Sequence, residues 1–272
     1  MNSVIVTRLF DSYEELREVV APIGEPVYAP LIKIASLLGV AKEDVIFFAV
    51  VIVSFLSCLL VGQMRSVFLR KVFSIVVGLA TGFTFYGLAY IFNIALIFSC
   101  YCCLLMLPRK QGSNLLTVLA VLGCGAASVY HLHFSQLSEG WDIDIIFMIN
   151  FVKLHMIAVN YENAAHLDEP AESSGLTSRE RKYAMPFRQR PTFASFMLYF
   201  FFCGVSWTGM YHEYLEFDQF INLRGGYRDI PRNKLWKPAF KRFSQLLFFV
   251  VLVVILNANF NKSFLLTEEW AY

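Results

Sequence analysis

Three features of this 272-residue chain predict an all-α fold, a polytopic transmembrane helical bundle of about six or seven membrane helices. Hydrophobic residues make up 57% and charged residues 16%, against about 45–50% and about 25% in soluble domains. Mean hydropathy is +0.55. The apolar residues also come in runs of span length, parted by short loops that hold the basic residues. The 16% aromatic content, with 27 Phe and 13 Tyr, suits the same setting, since rings face hydrocarbon while polar tips meet headgroups.

Residues 1–44 form an N-terminal segment, partly interfacial. Asp11, Glu14, Glu15 and Glu18 fall where a cleaved signal peptide needs an apolar core. An early membrane block follows over 45–160. Its first span runs from Val45 to Met64, stopped by Arg65, Arg70 and Lys71. Val72–Leu107 carries no charge and has room for two short spans, so a helical hairpin turning near Gly87 and Asn93 is expected. Beyond the loop at Pro108, Arg109, Lys110 and Gly112, the run Leu115–Phe134 holds Gly123, Gly125, Ala126, Ala127 and Ser128. Small residues of this kind let helices approach closely in lipid.

Trp141–Tyr161 differs from its neighbours. At 100° per residue, Asp142, Asn150, Lys153 and Asn160 share about a quarter of the helix circumference, which makes the helix amphipathic. Residues 161–191 are a polar connector with Pro170 and Gly175, in which Leu176-Thr177-Ser178-Arg179-Glu180 predicts the start of a short surface helix. The late membrane block, 192–272, opens with an aromatic span over Thr192–Tyr211, continues through a basic loop at 213–242 and ends in the apolar run Phe243–Asn257. The basic stretches 65–71, 109–110 and 224–242 share one side of the bilayer if the 142–160 helix does not fully cross.

Several function classes drop out. A net charge of +2 without a basic stripe excludes a nucleic-acid partner. Cys58, Cys100, Cys102, Cys103, Cys124 and Cys203 all lie in apolar stretches without a histidine at zinc spacing, so neither a disulfide framework nor a metal site is expected. The chain holds no nucleophile elbow, phosphate loop or soluble-acyltransferase His–Asp motif. Nor does it show the paired, interrupted half-repeats of transporters.

Ionisable groups within membrane segments are costly and are functional candidates by default. Lys153 has two readings of equal weight: a polar lining for an anionic group such as a lipid phosphate or coenzyme A, or an ion pair with Asp142 or Asp144 that pins the helix. His131 and His133 lie on different faces of their helix and read as interfacial anchors. His212, at the mouth of the aromatic span, reads as a solvated interfacial histidine, with general-base chemistry as the alternative.

Over residues 128–269 a series of segments resembles the membrane-bound O-acyltransferase family, in its lysophospholipid acyltransferase branch. The similarity starts at Tyr130-His131, passes through Trp141-Asp142-Ile143-Asp144 and the Lys153 helix to Val159-Asn160-Tyr161. It continues at Leu176–Ala184 and Arg190-Pro191-Thr192-Phe193. Tyr214, Phe217 and Phe220 follow, then Asp229-Ile230-Pro231, Pro238–Arg242 and Phe264–Glu269. One departure is Gly209-Met210-Tyr211-His212, where the family has Gly-Pro before a polar-aromatic pair.

The resemblance implies an endoplasmic-reticulum membrane protein, the front part of a larger bundle, that moves a fatty acyl group from acyl-CoA to a lysophospholipid hydroxyl. No tightly bound cofactor is implied, acyl-CoA being a co-substrate, and the membrane lipids are the partners. The family's catalytic histidine, in a Trp-His-Gly-like motif, and its asparagine fall beyond Tyr272, so no catalytic residue is assigned within this chain. Trp141, Asp144, Asn150, Lys153, Asn160, Gly209 and His212 are the candidate substrate-binding residues. The alternative is a non-catalytic membrane protein that binds lysolipid or acyl-CoA, or serves as a partner subunit.

Overall fold

The computed structural model describes residues 28–37, 42–87, 90–106, 117–119, 121–123, 125–126, 144–207, 211–231 and 236–259. Every regular element among them is helical. Contacts divide the chain into two compact units, Met1–Arg228 and Asp229–Tyr272. The expectations for residues 1–27, Pro108–Gly112, His131, His133, Trp141, Asp142, Gly209 and Phe264–Glu269 lie outside the described residues.

In the first unit the principal helices are α1 (Tyr28–Leu37), α2 (Lys42–Gln63), α3 (Val67–Tyr86), α4 (Tyr90–Met106) and α5 (Asp144–Asn163). Then come α6 (Ser178–Ala184), α7 (Phe193–Phe200) and α8 (Tyr214–Ile221). Among the described residues, α2 and α3 are the two helices long and apolar enough to cross a membrane, and α4 is a shorter apolar helix. The expected six or seven spans are thus met only in coarser form, all-helical described residues with two membrane-capable helices.

The expected hairpin forms between α3 and α4. Gly87, at φ 60°, ends α3 in the left-handed region that a side chain disfavours, and its N–H bonds back to the Phe83 carbonyl. Asn93 is not at the turn but buried within α4. The sequence reading also placed Arg70 and Lys71 in a loop, whereas Ser66 caps α3 and both residues lie inside it. Arg70 tolerates 1% exposure because its guanidinium donates to the carbonyls of Met64 (3.3 Å) and Phe220 (2.8 Å) and sits 4.7 Å over the Phe220 ring. A delocalised cation spread over two carbonyls and an aromatic face is far cheaper to bury than a bare one.

The third departure concerns Thr192–Tyr211. It is not one span: Thr192 caps α7, and the helix ends at Phe200 after eight residues. Irregular turns follow, in which Phe202 O accepts from the N–H groups of both Val205 and Ser206 at 2.9 Å. Backbone left unhelical in a buried place must find other partners. Here they are tyrosines of the hairpin: Tyr90 Oη donates to Ser206 O (3.0 Å) and Tyr86 Oη to Trp207 O (2.7 Å).

The predicted surface helix is α6, held by a capping box in which the Thr177 hydroxyl accepts from Glu180 N–H while the Glu180 carboxylate accepts from Thr177 N–H. Arg181 ties the connector together through the carbonyls of Leu167 and Glu169 and the Ser174 hydroxyl. Arg190 reaches the Leu105 carbonyl at 2.7 Å and Tyr161 Oη at 3.1 Å. These bonds fix the connector across the ends of α4 and α5.

In the second unit α9 (Trp236–Asn259) is one helix of 24 residues. Lys237, Lys241 and Arg242, expected in a loop, form its first turns, ahead of the apolar run.

Candidate functional site

The first unit buries a set of polar side chains within its apolar core and exposes large apolar ones. Ser54, Ser57, Ser74, Thr81, Asn93, Asn150, Lys153, Asn160 and Ser206 are buried, while Ile52, Leu56, Phe68, Val76, Phe92 and Phe98 are exposed. Helix α5 is not the amphipathic helix expected: Asn150, Lys153 and Asn160 all face inward, but on one mixed face with Ile146, Leu154, Ile157 and Tyr161, whereas Met148 is 66% exposed. The helix thus buries two amides and an ammonium while leaving Met148 and Val152 exposed.

The site centres on Lys153, which is 0% exposed. Its Nζ lies 5.4 Å from the Tyr199 ring centroid and 5.9 Å from that of Phe200, both on or at the end of α7. Among the described residues it has no hydrogen-bond partner. Of its two sequence readings, the ion pair within its own helix loses ground. Asp144 opens α5 nine residues earlier, about 13.5 Å away along the axis, and Asp142 is outside the described residues.

One turn before Lys153, the Asn150 side-chain amide donates to Asn93 Oδ1 of α4 at 2.7 Å. Asn93 also meets the Tyr90 hydroxyl, so Asn150 Oδ1 is the atom of this pair left buried without a partner among the described residues. A buried polar group without a partner costs roughly 1–3 kcal/mol, and α5 carries two such atoms, Asn150 Oδ1 and Lys153 Nζ. Asn160 is buried two turns further on, near the connector end of α5.

The wall opposite α5 is the interrupted segment. Phe196, Leu198, Tyr199, Phe200, Phe201 and Cys203 are all buried, and α7 and the turns after it meet α3 at Gly78. A second hydrogen-bond layer holds this wall: Thr81 Oγ1 to Ser206 Oγ at 3.0 Å, and Trp207 Nε1 to Ser54 Oγ at 2.8 Å. The tyrosines, serines and threonine of this layer were missed by sequence reasoning. Nothing in their spacing marks them, because they pair across helices rather than along one.

His212 is not the solvated histidine expected. It is half-buried, with its ring 4.8 Å from Tyr199 and 5.3 Å from Phe217, and its carbonyl accepts from Tyr199 Oη at 2.6 Å. His155 Nδ1 pairs with Thr117 Oγ1 at 3.1 Å, and His166 Nδ1 with Glu169 at 3.0 Å. The structure therefore pairs Asn150 with an unforeseen partner, Asn93, and brings both Lys153 and His212 to the Tyr199 ring. No group of three or more metal-ligating side chains occurs among the described residues.

Compared with known proteins, the chain matches no family model. No curated protein matches it, and no solved structure does.

Proposed function

We propose that this chain is a lysophospholipid acyltransferase-like protein of the endoplasmic reticulum membrane, built on a bundle of about six or seven spans, and that its interior holds a lysophospholipid and acyl-CoA. The observation that carries this reading is the fully buried Lys153, with the Asn93–Asn150 pair joining its helix to α4, inside a bundle that exposes large apolar side chains. Ionisable groups buried in such bundles are expected where a polar part of an amphiphile is held. The series of segments similar to the lysophospholipid branch of the membrane-bound O-acyltransferases supplies the reaction. A lysophospholipid hydroxyl attacks the thioester carbonyl, the coenzyme A thiolate leaves, and a base takes the hydroxyl proton. That base is assigned to none of the histidines here; this chain supplies binding and orientation.

The test uses the purified chain in lipid nanodiscs with radiolabelled lysophosphatidylcholine and a thioether analogue of acyl-CoA. Retention of both amphiphiles without turnover of authentic acyl-CoA is the expected result. Retention of neither refutes the reading, and acyl transfer by the chain alone refutes the claim that its base lies elsewhere.

A second reading, a non-catalytic protein that binds lysolipid or acyl-CoA, or pairs with an acyltransferase, is favoured by the pairing of His155 and His166 with Thr117 and Glu169 and by the aromatic packing of His212. Sequencing the 3′ end of the transcript separates the two. Coding sequence beyond Tyr272 with an asparagine and a Trp-His-Gly-like segment supports the enzyme, and a stop codon supports the binder.

A further inference from the structure

Helix α9 joins a cluster of cations directly to an apolar run. Arg232, Lys234, Lys237, Lys241 and Arg242 fall within eleven residues, and the sequence has no Asp or Glu between Asp229 and Glu268. Whatever neutralises these cations comes from outside the helix. At 100° per residue, Trp236, Phe240, Phe243 and Leu247 share about 60° of the circumference, and Lys237, Lys241 and Arg242 lie away from that stripe. The Trp236 and Phe240 rings stack at 5.9 Å and are both exposed. Arg242 donates to Gln245 Oε1 at 3.3 Å. Lys241, Ser244 and Gln245 share a shallow groove with Phe248 and Phe249, whose rings are 65% and 61% exposed. From Leu246 to Leu256 the helix is apolar on every side, over about 16 Å.

An acidic protein partner matches the cations but grips one face, which leaves the rest of the apolar run without a cover. An anionic bilayer leaflet meets both needs at once. Its headgroups face the cations, its headgroup level is where aromatic rings collect, and its acyl chains surround Leu246 and the residues after it. We infer that the first two turns of α9 dock on anionic phospholipid headgroups through Lys237, Lys241 and Arg242, with Trp236 and Phe240 at the boundary between headgroups and acyl chains. The apolar stems of the lysines and the arginine let their charged heads reach the phosphates while the helix stays low in the interface. The attraction amounts to about fivefold in affinity per cation and about a hundredfold for the three. This contact selects among the bulk lipids of the bilayer and does not depend on the acyl transfer proposed above.

The experiment reconstitutes the full chain in phosphatidylcholine nanodiscs that hold phosphatidylserine as the minor lipid. Bromine is carried on the acyl chains of a minor fraction of one lipid or the other. Quenching of Trp236 is read as the difference between the parent and its Trp236→Phe variant, which cancels Trp141, Trp207 and Trp270. Brominated phosphatidylserine is expected to quench Trp236 several-fold more than brominated phosphatidylcholine at the same mole fraction. The excess should vanish in the triple variant Lys237→Gln/Lys241→Gln/Arg242→Gln and, for the parent, in about 1 M salt. Equal quenching of the parent by the two lipids overturns the proposal, as does an excess that the triple variant keeps. Quenching by neither lipid also overturns it, since the start of α9 is then covered by protein, of this chain or of an acidic partner. Should the triple variant not reconstitute, the salt series on the parent decides, and an excess indifferent to salt overturns the docking.

Discussion

Replacing Gly78 by alanine probes the closest approach in the fold. A Cβ built at Gly78 would lie 1.8 Å from the Phe201 carbonyl oxygen and 2.8 Å from its carbon, both backbone atoms. Opening that gap from 1.8 Å to the 3.4 Å of ordinary contact displaces α3 from the end of α7 by about 1.6 Å, and no side-chain rotation can absorb it. The same shift strains the tyrosine and Thr81 hydrogen bonds to Ser206 and Trp207. Overpacking costs about 1–3 kcal/mol where neighbours adjust; against rigid backbone we expect about 3 kcal/mol, a fall in Tm of about 6–10 °C at the usual size scaling. Gly125 is the control, being helical and exposed with nothing within 4 Å of its added Cβ. There, alanine should be neutral or stabilise by about 0.5–1 kcal/mol through helix propensity. The assay is thermal unfolding of both variants in the same nanodiscs, followed by tryptophan fluorescence with Trp141, Trp236 and Trp270 replaced by Phe so that Trp207 alone reports. If Gly78→Ala melts with Gly125→Ala, the close packing of α3 on the interrupted segment is wrong.

Arg70→Met removes both guanidinium bonds and the cation over the Phe220 ring, while Phe220 O keeps its backbone bond from Leu223 N–H, so a loss of about 1–3 kcal/mol is expected in the same unfolding assay, with Arg70→Lys recovering part of it. Tyr90→Phe deletes one donor to Ser206 O and should cost about 1–3 kcal/mol, visible as faster amide exchange across 201–207. Hydrogen bonds from the Thr177 hydroxyl and N–H hold the Glu180 carboxyl below its ordinary range. A lowered folded pKa means that stability present above the unfolded value is lost as pH falls through the folded one. Protection of the α6 amides should therefore be full at neutral pH and drop on acidification, and Glu180→Gln should flatten that dependence.

What the sequence made legible were features with a one-dimensional signature. The span α2 follows from an unbroken apolar run, the α3–α4 turn from Gly87, and α6 from the Thr177–Glu180 spacing. The polar stripe Asn150–Lys153–Asn160 follows from a 3.6-residue period, which survives whether the stripe faces water or a bundle interior; the direction it faces is a tertiary fact. Features decided across the fold were not legible. Thr192–Tyr211 has the composition of a span, and its interruption depends on hydroxyls supplied by Tyr86 and Tyr90 more than a hundred residues earlier. Arg70 looks like a loop residue until Phe220 offers it a carbonyl and a ring. Asn93 looks like a turn residue until Asn150 is placed opposite.

The borrowed tyrosines also dictate an order of assembly. A helix with all its backbone bonds internal can form as it emerges from the ribosome. The stretch after Phe200 cannot reach its native turns alone, because Ser206 and Trp207 carry carbonyls whose donors sit on α4 and α3. The α3–α4 hairpin must therefore be in place before residues 201–207 can settle. A defect at Tyr86, Tyr90 or Gly78 would accordingly leave the aromatic segment unfolded while α3 and α4 still form.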